Sequence, residues 1–487
     1  MKNIKSILVA ILCVLSCAVL LCACQNPETP TDGDPTPAPS GGPTEVIDPT
    51  KPGEVKMQPG DVYRIFVWSN TTENKWIEDG TEEGRARWEK FQNDYDVTVT
   101  WVANPNSGDW INAAMQPAAA GEPIADIFHM GGPFAIPQIL GYGGSVVGSY
   151  FEDINQYKKY TNIDNGDFWD QGAIETMGTY NGKLYVAYPY DEGWGAAAVN
   201  MVTFFNKNLI SNGGYTADDM YTWYKNGEWT FDKFREVALA CTDADKGVYG
   251  TIVGENGLIQ AALVAANGGS ILTPDANGIP KFSADSDKAL RAYNFFLDMC
   301  KTDGSVYTEG GVNQAEGNLF KNGTAAMMIT YANRVPQFSD IEGFEFGIIL
   351  PPKGPDATEY ASDKNWATPF CMFKGHANPA GVAQCLSYYL CPTYGMSTAE
   401  QAMKLEADAQ AYFQDNESIQ TLKDAVKYNV TTSYMAYWSV SESALAKTAC
   451  WNFNKWVAGE STPEIDFAAN KDLINSIIES TIAGSEA

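Results

Sequence analysis

Histidine is scarce in this chain of 487 residues, which contains only His129 and His376. A histidine-rich metal site is therefore excluded, and a Ser-His-Asp triad would have to use one of these two residues. The sequence also lacks GxxxxGK followed by Ser or Thr, so the chain cannot hydrolyse ATP through a P-loop. We expect no catalytic residue, no metal and no cofactor.

Paired cysteines and positive charge are limited as well. The cysteines that follow Cys24 have neither CxxC nor zinc-ligand spacing, so we interpret them as small core residues and leave their disulfide state open. Lys and Arg number 32 against 60 Asp and Glu, a formal charge of −28. This charge disfavours nucleic acid and anionic lipid as partners, and weakly favours a neutral or cationic ligand.

An apolar run near the N terminus ends at Cys24. Two lysines precede residues 7–21, which have the length of a signal sequence and are short for a spanning helix. Residues 21–24, Leu-Cys-Ala-Cys, resemble a bacterial lipobox, in which the cysteine becomes the acylated first residue. We predict a signal peptide over 1–23, lipidation of Cys24 and anchoring to the outer face of the cell membrane. The alternatives are an uncleaved membrane helix and a plain secretory signal.

The segment after Cys24 is rich in Pro, Thr and Gly and poor in large apolar side chains. Such a composition cannot bury enough surface to fold and favours an extended spacer. We therefore predict a linker over 24–60 and a folded part that starts near Asp61.

From Asp61 onward, apolar residues recur alternately at strand and helix spacing. The pattern predicts strands near 63–68, 97–101 and 125–128, separated by helices near 86–95 and 109–120. This alternation indicates an α/β fold with a parallel, doubly wound sheet. Ligands bind beyond the carboxyl ends of such strands, which makes Trp68, Asn70 and the loop 129–133 candidates for the site.

Seven short segments carry motifs of one known family, in that family's order. They include Ala118–Phe128, Asn181–Pro189 with Phe205-Asn206-Lys207, Trp229–Phe234, Phe320–Met328 and Gly347–Pro352. Together they resemble the family 1 extracellular solute-binding proteins, the sugar-binding subunits of ABC importers. Two mild departures are Phe205 in place of a tyrosine and a longer spacing at 185–187.

The resemblance implies a two-lobed, type II periplasmic-binding-protein-like fold with a ligand cleft between the lobes. Crossing segments would lie near 190–191, 329–331 and 391–392. Lobe one would comprise 61–190 plus 331–390, and lobe two 191–330 plus 391–487. The implied protein is an extracytoplasmic monomer that closes on a carbohydrate, of oligosaccharide or glycoside type, and delivers it to an ABC permease in the membrane.

Aromatic side chains suit a carbohydrate because a sugar ring has CH-rich faces and hydroxyl edges. With 13 Trp and 25 Tyr the supply is high, although we assign Trp88, Trp101, Trp223 and Trp229 to packing. Polar candidates would fix the hydroxyls, and a structural ion pair is the alternative for Arg334. The candidate ligand-binding residues are Trp68, Asn70, Glu192, Trp194, Asn333, Arg334, Trp366, Tyr437 and Trp438.

Two other functions are compatible with some of these sequence features. A surface glycoside hydrolase would need two carboxyl groups about 5–10 Å apart, and the sequence nominates no such pair. A surface glycan-binding lipoprotein would use the same binding chemistry without a permease. The acidic charge also leaves a polyamine or a peptide open as the solute.

Overall fold

The structure is a computed structural model, and it describes most of the chain after residue 53. The described residues are 54–68, 82–104, 110–130, 150–166, 168–180, 182–190, 199–254, 257–276, 279–338, 341, 343–366, 369–391, 394–395, 398–413, 415–432, 434, 437 and 444–483. The predicted signal peptide, Cys24 and the linker up to residue 53 lie outside them.

The first part of the fold alternates strands and helices, as the apolar periodicity predicts. Its elements are β1 (Val62–Val67), α1 (Glu82–Tyr95), β2 (Thr98–Ala103), α2 (Trp110–Ala119), β3 (Ile127–His129), α3 (Gln171–Ala173), β4 (Thr179–Tyr180), β5 (Lys183–Leu184) and β6 (Val186–Ala187). The three predicted strands and two predicted helices between residues 61 and 130 are confirmed, with shifts of a few residues at their ends.

A second series of strands and helices follows. Its elements are β7 (Met201–Asn206), α4 (Lys207–Asn212), α5 (Ala217–Lys225), α6 (Phe231–Cys241), β8 (Thr251–Ile252), α7 (Leu258–Ala266), β9 (Leu272–Pro274), β10 (Pro280–Phe282), α8 (Asp287–Asp298), β11 (Val306–Tyr307), α9 (Glu316–Lys321), β12 (Met327–Tyr331) and β13 (Phe346–Ile349). Thr230 is the N-cap of α6, because its hydroxyl accepts a hydrogen bond from the Lys233 N–H.

The last part of the chain is mainly helical. Its elements are β14 (Ser362–Lys364), β15 (Phe370–Met372), α10 (Pro379–Gln384), α11 (Thr398–Tyr412), α12 (Asn416–Lys427), β16 (Asn429–Thr431), α13 (Ala444–Ala446), α14 (Phe453–Ala458) and α15 (Pro463–Ala483).

The first sheet has the strand order β2-β1-β3-β15-β6. Strands β1, β2 and β3 are parallel, which confirms the predicted parallel sheet, whereas β15 is antiparallel to both β3 and β6. Strand β6 therefore runs in the same direction as β1, β2 and β3. All four of these strands end at one edge, which we name the first carboxyl edge.

The second sheet is built around β7, which pairs antiparallel with both β12 and β13. Strands β8 and β11 pair in parallel, and Tyr249 just before β8 bridges Ala325 just before β12 in parallel. The order across the sheet is thus β11-β8-β12-β7-β13. Strands β8, β11, β12 and β13 end at one edge, which we name the second carboxyl edge.

Buried apolar side chains form two separate clusters. The first core spans Met57–Tyr188 and Phe370–Tyr394, and the second core spans Met201–Leu350 and Ala409–Ile478. Trp229 is fully buried in the second core, and its Nε1 donates to the Leu350 carbonyl at 3.0 Å. Trp88 and Trp101 pack against the first core and Trp223 against the second, so the packing role predicted for these four tryptophans is confirmed.

The cysteines are small core residues, as the sequence predicts. Among the described residues, Cys241, Cys371, Cys385, Cys391 and Cys450 are buried, Cys300 is half-buried, and all of them are free thiols. They contribute apolar volume to the two cores.

The clusters correct the expected assignment of residues 331–350 to lobe one. Buried side chains from Tyr331 to Leu350 belong to the second core. The physical reason is that β12 and β13 both pair with β7, so the chain has not left the second sheet at residue 331. The second crossing lies later, at β14.

The folded part also begins earlier than Asp61. The Gln384 Oε1 accepts hydrogen bonds from the backbone N–H of Lys56 and of Met57, and the Asn378 Nδ2 donates to the Lys56 carbonyl at 2.7 Å. Met57 is buried in the first core. Residues 54–60, assigned to the linker from composition alone, are therefore part of the folded protein, because side chains of α10 and its cap satisfy their backbone.

Candidate ligand-binding site

The first carboxyl edge presents aromatic side chains. Trp68 follows β1 and is 45% exposed, and its carbonyl accepts a hydrogen bond from the Asn104 Nδ2, which follows β2, at 3.0 Å. Tyr190 follows β6 and is half-buried. The last three residues of β1 are buried, and a tryptophan so exposed directly after them offers a rigid apolar face to a ligand.

Two more predicted aromatic residues lie close to the junction of the cores. Trp366 precedes β15, is half-buried and packs against the second core. Tyr437 is half-buried and packs against both cores. The structure therefore places Trp366 and Tyr437 where the two halves of the molecule meet.

The second carboxyl edge presents polar and charged groups. The predicted residues Asn333 and Arg334 follow β12 and are half-buried. Arg334 Nη2 lies 3.9 Å from the Oε1 of Glu316, which is buried and accepts a hydrogen bond from the Thr330 hydroxyl at 2.6 Å. Arg334 therefore forms the structural ion pair that was the alternative to ligand binding. It also lies at the second carboxyl edge, where a ligand contact would have to be.

Glu316 was not among the sequence candidates. It is the first residue of α9 and lies at the second carboxyl edge only because Thr330 and Arg334 fold against it. No local motif marks it, so only a contact between distant segments identifies it.

Short extended segments form a hinge between the two cores. Strand β14 pairs in parallel with β16, and Asn200 forms an antiparallel bridge with Lys364. The Asn200 Nδ2 donates to the Ser362 hydroxyl at 3.2 Å and to the Asn429 Oδ1 at 3.0 Å. Three segments that are distant in sequence are therefore held side by side.

A buried ion pair connects this hinge to the first half. Lys364 Nζ lies 2.6 Å from the Asp170 Oδ2, and both side chains are almost fully buried. Asp170 also caps α3 by accepting a hydrogen bond from the Ala173 N–H, and Lys364 lies over the Tyr190 ring, 4.8 Å from its centroid. Breaking a buried pair of this kind is strongly destabilising, because one charge is left uncompensated.

The neighbouring residue on β14 is a second buried carboxyl group. Asp363 accepts hydrogen bonds from the Thr432 hydroxyl at 2.9 Å and from the Asn365 Nδ2. Burial raises the pKa of Asp363 to about 7, against the opposing effect of these hydrogen bonds. Strand β14 therefore carries two buried ionisable groups. Lys364 pairs with Asp170, and Asp363 is hydrogen-bonded to Thr432 and Asn365.

The connections place the two carboxyl edges opposite each other. Strand β6 ends at the first carboxyl edge, and β7 begins at the second, because it is antiparallel to β12. Strand β13 ends at the second carboxyl edge, and β15 begins at the first. Asn200, just before β7, and β14, between β13 and β15, both lie in the hinge, so the cleft between the halves is bounded by these two edges.

Four predicted ligand-binding residues, Asn70, Glu192, Trp194 and Trp438, lie outside the described residues, as does the predicted lipidation site Cys24. Their roles stay predictions. Within the described ranges, no group of three or more His, Cys, Asp or Glu side chains could hold a metal ion. The helices of that part of the chain include none long and apolar enough to cross a membrane.

Two α/β halves joined by a hinge around a cleft define the type II periplasmic-binding-protein fold. Residues 68–395 match the family described as bacterial extracellular solute-binding protein, and the chain belongs to this family. The family resemblance expected from the motifs is therefore confirmed. Its members bind solutes outside the cytoplasm.

Solved structures agree on the fold. An ABC substrate-binding protein from Listeria monocytogenes in complex with cycloalternan is 19% identical, with a TM-score of 0.60, and the match covers 86% of this chain and 99% of that one. The cyclic α-maltosyl-1,6-maltose binding protein of Arthrobacter globiformis is 16% identical, with a TM-score of 0.62 and coverage of 86% and 100%.

A third structure has the same fold and a different kind of ligand. UgpB from Mycobacterium tuberculosis in complex with glycerophosphocholine is 14% identical, with a TM-score of 0.61 and coverage of 87% and 100%. A comparison with curated protein sequences found no significant match.

Proposed function

We propose that this protein is the carbohydrate receptor of an ABC importer, binding an oligosaccharide or glycoside in the cleft and delivering it to a membrane permease. The observation that carries the proposal is the chemical difference between the two carboxyl edges. One edge offers exposed aromatic faces, and the other offers amide, guanidinium and carboxylate groups. A sugar needs both, because its rings stack while its hydroxyls form hydrogen bonds.

The proposed ligand contacts are divided among the first carboxyl edge, the junction of the two cores and the second carboxyl edge. Trp68, Trp366 and Tyr437 would stack on sugar rings, and Asn333 and Arg334 would bond hydroxyls. The proposal also retains four residues because of their positions in the sequence: Asn70, Glu192, Trp194 and Trp438. The lobes would meet at the hinge, with residues 331–350 now counted in lobe two.

Binding would proceed by closure about the hinge. A solute bound to one edge is buried by the other, so affinity depends on how much better the closed state binds it. A dissociation constant near 1 μM corresponds to about −8 kcal/mol, which a few stacked rings and satisfied hydroxyls can supply after the cost of closure.

Proteins of the same fold support a carbohydrate as the solute. The Listeria protein was solved in complex with cycloalternan, and the Arthrobacter protein is a cyclic α-maltosyl-1,6-maltose binding protein. The Mycobacterium protein was solved in complex with glycerophosphocholine, so the class of solute has to be tested directly for this chain.

The N-terminal part of the proposal rests on the sequence alone. Cys24 would be acylated and would anchor the chain to the outer face of the cell membrane. The formal charge of −28 suits a soluble domain that does not adhere to an anionic surface. We propose a monomer, since one chain supplies both edges of the cleft.

A surface glycoside hydrolase or a glycan-binding lipoprotein without a permease is the alternative. The buried carboxyl groups Glu316 and Asp363 are each hydrogen-bonded to neighbouring side chains, which favours structural roles over catalysis. Release of shorter sugars from a bound oligosaccharide would reveal the hydrolase.

A thermal-shift screen of the full-length protein in detergent tests the proposal. The panel would contain mono- and oligosaccharides, glycosides, amino acids and polyamines. A ligand at 100 times its dissociation constant should add about 2.7 kcal/mol of stability. Stabilisation by sugars without product formation supports the receptor, whereas stabilisation only by a cationic or peptidic solute overturns the carbohydrate assignment.

A further inference from the structure

A cavity lies at the second carboxyl edge, between the turn that follows β11 and helix α14. Its volume is about 390 Å³, within the range of about 300–1,000 Å³ for small-molecule pockets. Val253, Phe453 and Val457 form its apolar wall, and Thr308 and Asn454 form its polar wall. Val253 and Phe453 are buried, whereas Asn454 is exposed at the mouth.

The shape of this cavity depends on a close approach of backbone to helix. Gly310 and Gly311 line it, with φ of +84° and +53°. A Cβ at Gly311 would lie 1.9 Å from the Asn454 Oδ1, so a larger residue there would displace the Asn454 side chain and would adopt a strained positive φ. The two glycines therefore present bare backbone, and the absence of a Cβ at Gly311 lets the Asn454 side chain lie directly against the turn.

None of the residues that line the cavity carries a charge. Glu309 lies within the same turn, but its carboxylate accepts a hydrogen bond from the Tyr307 hydroxyl at 2.8 Å. A lining of apolar side chains with an amide and a hydroxyl, and without charge, suits a neutral ring with hydroxyl groups better than an ammonium or a phosphate group.

The cavity is displaced from the Arg334 cluster along the sheet. The strand order is β11-β8-β12, with Thr308 after β11 and Arg334 after β12. Val253 lies after β8, one strand from β12. Neighbouring strands lie about 4.8 Å apart, so Thr308 and Arg334, which are two strands apart, are separated by about 10 Å. A solute that reaches both is longer than a single sugar ring.

From these observations we propose that the cavity is an end subsite of the cleft, which seats a neutral terminal unit of an oligosaccharide and sets the preferred chain length. The inference rests on the proposed carbohydrate function and adds to it the polarity of the solute and its orientation along the second carboxyl edge. Asn454 and Thr308 are then specificity-determining residues for the terminal unit.

Calorimetry with a length series of neutral oligosaccharides tests this inference. The probes are linear oligomers of glucose, xylose, mannose and galactose, each from one to six units, added to the full-length protein in detergent. For the oligomer series that binds, affinity should rise with length and then stop rising. Asn454→Ala should weaken the longer oligomers by about tenfold, the loss of one or two hydrogen bonds, and leave the shortest bound oligomer unchanged.

Val457→Trp provides a second variant, because it fills the cavity and should abolish the gain in affinity with length. Lys455→Ala and Ala458→Trp are the matched controls, since both residues are exposed on α14 and neither lines the cavity. The subsite would be overturned if Asn454→Ala weakened short and long oligomers equally. It would also be overturned if the cavity variants kept the native melting temperature and lost no affinity for the longer oligomers. If the unaltered protein binds none of the oligomers, the carbohydrate function itself fails, and the subsite with it.

Discussion

The two carboxyl edges of this molecule are built by similar strands and present different chemistry. The first carries exposed or half-buried aromatic rings at Trp68 and Tyr190, and the second carries the Glu316–Arg334 pair and Asn333. The strands below each edge contribute buried apolar side chains to the two cores, so they fix positions and do not select the solute. One half of the molecule therefore supplies apolar contact, and the other supplies hydrogen bonds.

The largest effect is expected in the hinge, which holds the two carboxyl edges in position. Lys364→Met should lower the free energy of unfolding by about 3–5 kcal/mol, because Asp170 would remain buried without its counter-charge. Denaturant unfolding measures the loss. Lys158→Met is the matched control, because Lys158 pairs with Asp164 at 2.7 Å on the surface, and such exposed pairs contribute about 0–1 kcal/mol. Equal effects of the two substitutions would contradict the buried pair.

The other buried group of the hinge predicts a pH dependence. The pKa of Asp363 is raised to about 7, so its favourable contribution is complete below about pH 4 and is lost as the pH rises through about 7. The free energy of unfolding should therefore fall by about 4 kcal/mol across this window because of Asp363 alone. In Asp363→Asn this decrease in the free energy of unfolding should be absent, because an amide does not ionise.

Denaturant unfolding at several pH values between about 4 and 8 checks this prediction. Asp164→Asn is the control, since Asp164 is exposed. Identical pH profiles for Asp363→Asn and the unaltered protein would show that Asp363 is ionised throughout, and the assigned protonation would then be wrong.

Stacking at the first carboxyl edge is expected to have a smaller effect, on affinity alone. Trp68→Ala should weaken the bound sugar by about 2 kcal/mol, or about thirtyfold, because one apolar face is lost to the ligand. The melting temperature of the free protein should change little, because Trp68 is 45% exposed. Calorimetry and thermal unfolding measure the two effects.

Trp223→Ala provides the opposite pattern. Trp223 packs edge-on against Tyr215, with ring centroids 5.2 Å apart, and beneath Lys233. Its loss should lower the melting temperature and leave the affinity for the sugar unchanged. If both tryptophan variants changed only stability, the first carboxyl edge would not be a stacking surface.

The smallest effect is expected at the second carboxyl edge. Asn333→Ala should weaken the sugar by about 1 kcal/mol, the usual net contribution of one neutral hydrogen bond. The matched control is Asn322→Ala, an exposed amide just after the C-terminal end of α9. A larger loss for Asn333→Ala than for Trp68→Ala in calorimetry would reverse the proposed division of labour between the edges.

Much of the first half could be predicted from local patterns. The strands around Ile65, Val99 and Ile127 and the helices between them follow from apolar spacing. Trp68 was placed correctly at a strand end for the same reason. The position of residues 331–350 and the docking of residues 54–60 were not predictable in this way, since they depend on pairing with distant segments.

The α/β class, the family and the excess of negative charge follow from apolar spacing, motif order and composition. The three-dimensional structure is needed to show that β12 and β13 share β7, that Lys364 pairs with Asp170 and that Asn200 bonds Asn429, which lies 229 residues away. An apolar strand pattern records that a segment is buried but not which partner buries it. The partner is selected by the packing and hydrogen bonding of the whole core.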